Sequence, residues 1–197
     1  MRPMRSLAGA LLFLLSAAAL AQTSPKEASP GFEEIDPVVY DALFVDAVQA
    51  HHAGHKGQAF AKFMRLACAG DKAAQEQIGQ MYLVGEGVYQ NTAMAYLWLK
   101  TAAEFNFGDY RTLAKKIEKV MKPEQAKRFN ELADEMIAQY GQRATNVTCS
   151  THSSSTFSSN IKGTVVCSPK RSGGMLLVQR CYDSELGVVK SVLENSR

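Results

Sequence analysis

Two glycines around a single residue, Gly85-Glu86-Gly87, break the longest run of helical patterning in this chain. From Ala59 to Phe107 the sequence reads AFAKFMRLACAGDKAAQEQIGQMYLVGEGVYQNTAMAYLWLKTAAEFNF, with small and large apolar residues recurring three and four apart on both sides of that loop. The pattern predicts two antiparallel amphipathic helices joined by a tight turn. The first is expected from Asp71 to Val84, with Ala74, Ile78, Met81 and Tyr82 as its stripe. The second is expected from Asn91 to Phe105, with Ala95, Trp98, Leu99, Ala102 and Phe105 on one face. Glycine suits the loop because a helix commonly reverses through a residue at positive φ, where a Cβ is costly.

The same spacing recurs upstream. Phe60, Phe63, Ala67 and Cys68 stand 35 residues before Ala95, Trp98, Ala102 and Ala103, a period expected of stacked helical hairpins. An earlier hairpin follows, its first helix opening at Asp36-Pro37, where an N-cap carboxylate precedes proline at the first helical position. That helix buries Val39, Tyr40, Leu43, Phe44 and Ala47 and ends near Ala53-Gly54; its partner runs from about Gly57 to Ala69. His51 to His55 takes the place of the Gly-x-Gly loop. A third pair is expected from Tyr110 to Met121 and from Pro123 to Tyr140, the latter stopped by Gly141 and polar on its outer face, as a terminal cap requires. Six helices in three hairpins are about the minimum for a repeat array with a continuous core.

Gly70-Asp71, Ala74-Gln75, Ile78-Gly79, Tyr82, Gly85-Glu86-Gly87-Val88, Ala95, Trp98, Ala102-Ala103 and Glu104 resemble, in order and spacing, a Sel-1-like repeat, a relative of the tetratricopeptide repeat. Met121-Lys122-Pro123-Glu124-Gln125-Ala126 with Leu132-Ala133 is similar to the closing helix that follows the last such repeat. The resemblance covers residues 59 to about 140. It implies a mainly α chain, a short α-solenoid of about three hairpins whose surface binds proteins; it does not imply an activity, and no cofactor is expected.

Met1 to Ala21 reads as a cleavable signal peptide: Arg2 and Arg5 precede the apolar run Leu7 to Leu20, and Ala19-Leu20-Ala21 has the small-x-small pattern of a cleavage site. The apolar run falls short of the roughly 18 to 20 residues of a membrane span. With the resemblance, this style of signal implies a bacterial protein of the periplasm or the medium. Without Arg2 and Arg5 the 22 basic residues become 20, against 19 acidic ones. A chain so balanced has no general attraction for nucleic acid or an anionic membrane. Residues 22–35, with Ser24-Pro25 and Ser29-Pro30, read as a flexible leader, and residues 36–141 as the helical-repeat domain.

Beyond Gly141 the composition shifts. Residues 142–197 read as a Ser/Thr-rich linker and a small β tail, in which Gly163 to Cys167 and Met175 to Tyr182 form a hairpin around Ser168 to Gly174, and Val188 to Leu193 adds a third strand. Such a tail has too little apolar mass to fold unaided. In an oxidising compartment Cys68, Cys149, Cys167 and Cys181 have three possible pairings. In the expected hairpin Cys167 opposes Met175, which makes Cys167–Cys181 awkward and favours Cys149–Cys167 within the tail and Cys68–Cys181 between tail and repeat. The alternative for Cys68 is a buried free thiol.

Chemistry-bearing residues are sparse. His51 and His55 are four apart, but Gly54 interrupts their helix and no nearby carboxylate completes a metal site, so a solvated turn is expected. Cys149 with His152 lacks a scaffold for nucleophile and base, and Ser153, Ser154 and Ser155 lack a Gly-x-Ser-x-Gly context. Asn146-Val147-Thr148 is formally a glycosylation sequon. Glu86 is either a binding carboxylate or an acceptor for turn N–H groups. Tyr89, Tyr96, Tyr110 and Glu86 are the candidate contacts for a protein or peptide partner, with Tyr82 and Trp98 packing the core. The function that follows is an exported, non-catalytic adaptor. Two alternatives stand beside it. One is a structural role in which the tail makes the contact. The other is action on β-lactam or peptidoglycan-related ligands, implied by cysteine-rich members of the same repeat family. Those members carry a cysteine pair within each repeat, whereas Cys68 stands alone here.

Overall fold

The computed structural model describes residues 31–107, 110–152 and 164–181. The expected signal peptide, residues 22–30 of the leader, the serines at 153–155 and the strand at 188–193 lie outside these. The described chain is mainly helical: β1 (Phe32–Ile35), α1 (Pro37–His52), α2 (Lys56–Cys68), α3 (Lys72–Val84), α4 (Thr92–Ala102), α5 (Tyr110–Glu118), α6 (Pro123–Tyr140), a single turn α7 (Gln142–Thr145), β2 (Val147–His152), β3 (Thr164–Pro169), β4 (Arg171–Ser172) and β5 (Met175–Gln179).

The helix starts are set by side-chain caps that satisfy otherwise orphaned N–H groups. Asp36 accepts from Val38 N–H at 2.8 Å, with Pro37 at the first helical position. Asp71 accepts from Ala74 N–H at 2.8 Å, and Asn91 from Met94 N–H at 3.1 Å. Gly85 ends α3 at φ 77°, the left-handed conformation that the sequence required there.

Consecutive helices pack on one another from α1 to α4, and α4 also packs on α5 and α6. This makes α4 the centre of the molecule rather than an amphipathic outer helix. Met94 to Leu99, Thr101 and Ala102 are all buried, and the helix stops at Ala102 rather than running on to Phe105. Close approach of α3 and α4 needs Gly79, because a Cβ there would lie 2.7 Å from Leu99 Cγ. Trp98 stacks on Tyr140 of α6 at a ring-centroid distance of 5.3 Å, and Tyr82 meets Phe60 of α2 edge-on at 5.3 Å.

The strands depart from the expected hairpin. β5 turns back on β4, with Ser172 opposite Met175 across Gly173-Gly174, while its other edge pairs antiparallel with β1, Ile35 opposite Leu176. Residues 32–35, expected within a flexible leader, are thus an ordered edge strand of the order β1-β5-β4. β3 pairs instead with β2, which puts Cys149 directly opposite Cys167. The disulfides are Cys149–Cys167, closing 18 residues, and Cys68–Cys181, closing 113. Both follow the favoured pairing, although the hairpin register used to reach it was wrong.

Nor do the strands form an appendage. Ile35, Leu176 and Val178 share one core with Ala47, Phe63, Ile78 and Leu99. β5 and β1 therefore complete the helical core rather than trailing from it. Gln179 donates to the Gln139 carbonyl at 3.0 Å, and Arg180 N–H to the Gly31 carbonyl at 2.7 Å, holding β5 against α6 and the start of β1.

Candidate binding surface

The antiparallel helices bring the α1–α2 turn beside the loop between α3 and α4. Gly87, at φ 72°, lets the loop touch the earlier turn, since a Cβ there would lie 2.3 Å from the Lys56 carbonyl oxygen. Across this contact His51 Nε2 stands 2.6 Å from Glu86 Oε2, and Lys56 Nζ stands 3.2 Å from the same oxygen. A carboxylate only accepts, so the shared proton lies on His51 Nε2. Lys56 Nζ also lies 2.9 Å from His51 Nε2 and 3.2 Å from Nδ1, so the three side chains meet at one point. The two donors, His51 first and then Lys56, hold the Glu86 carboxyl below the usual glutamate range. His51 and Glu86 are 35 residues apart, the spacing that aligned the two hairpins in the sequence.

Beyond this clasp the loop projects. Tyr89 is 96% exposed and Val84 is 63% exposed. Gln90 steadies the base of the loop by donating to the Leu83 carbonyl at 2.8 Å, and Asn91 N–H reaches the Tyr82 carbonyl at 2.8 Å. The result is a solvent-facing phenol on a loop whose backbone is fixed at both ends.

Of the four residues expected to meet a partner, Glu86 and Tyr89 share this loop, and the other two do not reach the surface. Tyr96 is fully buried in α4; its hydroxyl donates to Asn130 Oδ1 at 2.9 Å, and Asn130 in turn donates to Glu118 Oε1 at 3.0 Å. Tyr110 is buried with Ala102, Val147, Val165 and Cys167 in a second cluster that seats the β2–β3 pair. A tyrosine on a helix looks the same in sequence whether it faces a partner or the core. The motif residues Gly79, Tyr82, Ala95, Trp98 and Ala102 are all buried, whereas Gly85 and Gly87 are exposed turn residues.

The sequence reading missed a buried polar network at the opposite end. Lys72 is fully buried, and its ammonium donates to Gln75 Oε1 at 3.0 Å, the Thr101 carbonyl at 3.2 Å and Glu104 Oε2 at 2.8 Å. Gln75 spends its own N–H groups on the carbonyls of Ala67 and Tyr140, each at 2.9 Å. Burial pulls the Lys72 ammonium below its ordinary pKa, while Glu104 opposes that shift. Glu104 also accepts from Gln142 N–H at 2.9 Å, so α7 closes the network. The signal was present: Lys72 and Gln75 lie on the same i, i+3, i+7 row as Gly79 and Tyr82.

Among the described residues, no group of three or more histidine, cysteine, aspartate or glutamate side chains is placed to hold a metal ion. His52 and His55 are exposed. No helix among those residues is long and apolar enough to cross a membrane. The chain matches no protein-family model and no curated protein.

Proposed function

We propose that this chain is an exported helical-repeat module of Sel-1-like type, which binds a protein or peptide in the cell envelope and has no catalysis of its own. The observation that carries the reading is Tyr89, 96% exposed on a loop pinned by Glu86, His51 and Lys56. An aromatic side chain held in water by a rigid loop loses little entropy on binding and brings a large contact area. The α-solenoid arrangement is supported by hairpins that touch at repeat-equivalent positions. Export is supported by two disulfides, which persist in oxidising compartments, and by the signal-like start of the sequence.

The test is covalent cross-linking of a tagged chain in the producing cell, followed by mass spectrometry of what is captured. One dominant envelope protein, lost on Tyr89→Ala with the helical circular dichroism intact, is the expected result. Absence of any enriched partner while the protein is folded and abundant would count against the module and redirect the search to small ligands, a chromogenic β-lactam among them.

A further inference from the structure

A cavity of about 230 Å³ opens where α1, the α2–α3 turn and β3 meet. Its volume lies below the ~300–1,000 Å³ of pockets that enclose drug-sized molecules and suits a single side chain. Phe44, Leu66, Val165 and Val166 give it apolar walls, and Val166 is 43% exposed. Two polar groups interrupt them. Asp71 contributes a carboxylate that accepts from the backbone N–H groups of Ala74, at 2.8 Å, and Ala73, whereas an ionised carboxylate has about four acceptor sites. Tyr40 forms another wall; the residue is 5% exposed and its buried hydroxyl has no hydrogen-bond partner. Exposed Asp41 adds a second negative charge to the lining.

From this geometry we infer that the cavity is a socket for one basic side chain, lysine or arginine, of a partner peptide. The aliphatic stem lies against Phe44, Leu66 and Val165, and the cationic head meets Asp71 and the Tyr40 hydroxyl. A cation is required rather than a neutral donor because the lining carries two carboxylates. The neighbouring ammonium of Lys72 gives its hydrogen bonds to Glu104, Gln75 and the Thr101 carbonyl and acts on Asp71 through its charge. Burial pushes the Asp71 carboxyl up to about 6, so an entering cation gains a partner that solvent screens poorly. The inference rests on the binding-module reading and names the chemistry that such a partner must bring.

The test titrates the oxidised full chain with three short blocked peptides, identical except for a central lysine, arginine or norleucine, while amide NMR shifts are followed at Ala73 and Val166. Saturable shifts are expected with lysine and arginine, and binding about tenfold weaker or worse with norleucine, as loss of a charge-assisted contact predicts. Asp71→Asn retains a good N-cap and should reduce the lysine peptide to the norleucine level; Tyr40→Phe should weaken it in the same direction. Equal binding of the norleucine peptide, unchanged lysine affinity in Asp71→Asn, or no saturable shift with any peptide would overturn the socket. Free 1-aminobutane binding as tightly as the lysine peptide would overturn the peptide source and assign the site to small amines. Cellular capture of a partner that survives Asp71→Asn but not Tyr89→Ala would leave the binding module standing and remove the socket alone.

Discussion

The buried Lys72–Glu104 ion pair, where α3 begins and α4 has just ended, makes an asymmetric prediction. Lys72 is 0% exposed and Glu104 is 26% exposed, so the two charges lose unequal amounts of hydration on folding. Removing Glu104 leaves an ammonium sealed among Gln75 and the Thr101 carbonyl. Removing Lys72 leaves a carboxylate that still meets water and still accepts from Gln142 N–H. Glu104→Ala should therefore cost about 3–5 kcal/mol, the range for an orphaned buried charge. Lys72→Met fills the volume of the stem and should cost about 1–3 kcal/mol, mainly for the acceptors it leaves unmet. Urea unfolding followed by fluorescence of Trp98, the one tryptophan, 3% exposed beside Tyr140, reads both variants directly.

The pH dependence supplies a second, independent sign. With the Lys72 pKa lowered in the folded state, the unfolded chain binds more protons between that value and the ordinary 10.5, so stability rises with pH in that window. Loss of Glu104 removes the interactions that oppose the lowering and widens the window downward. The deficit of Glu104→Ala relative to the parent should thus be largest near neutrality and narrow as pH climbs toward about 10, as Lys72 sheds its proton. Measuring the variant against the parent at each pH cancels the titration of other groups. A deficit that stays flat to pH ~10, or a Lys72→Met cost equal to or above that of Glu104→Ala, would refute the desolvation argument.

Three further predictions test the remaining geometry. Gly87→Ala should destabilise by about 2–4 kcal/mol, because positive φ and the Lys56 carbonyl both oppose the Cβ, whereas Gly85→Ala, with its nearest neighbour at 3.3 Å, should cost about 1 kcal/mol; thermal unfolding distinguishes them. Tyr96→Ala should cost about 3–5 kcal/mol as a large truncation in the core, and Tyr89→Ala less than about 0.5 kcal/mol, which is why only the latter serves as a clean probe of binding. The Glu86 carboxyl, followed by carbon NMR, should titrate below the ordinary glutamate range. It should move up in His51→Ala. Its contribution to stability should be present at neutral pH and be lost as pH falls through its depressed pKa.

The helices were legible because their signals are local. Asp36-Pro37, Asp71, Asn91 and Pro123 mark starts within the first turn, and Gly85 and Gly54 mark stops. The direction in which a stripe faces is a different matter. Trp98 and Tyr96 are two residues apart, on different sides of one helix, and both are buried because α4 has neighbours on more than one side. Periodicity records an amphipathic contrast, and a central helix has little contrast to record.

Strand pairing was illegible for a related reason, since it depends on contacts far apart in the chain. Phe32 to Ile35 is four residues long, carries two glutamates and follows a polar leader, so nothing local distinguishes it from more leader. It becomes a strand because β5, more than 140 residues away at Leu176, offers it an edge, and because the Cys68–Cys181 bridge holds the end of β5 against α2. The disulfide closing 113 residues thus does more than restrict the unfolded chain: it fixes the one long-range pairing on which the order of the first strand depends. Cys181 Sγ also lies 3.4 Å from the Met64 carbonyl, so the bridge seats directly on the helix whose Phe63 and Leu66 face the common core. The sheet β1-β5-β4 is therefore one structural unit assembled from both ends of the described chain, tied by a covalent link to the helices whose core it completes.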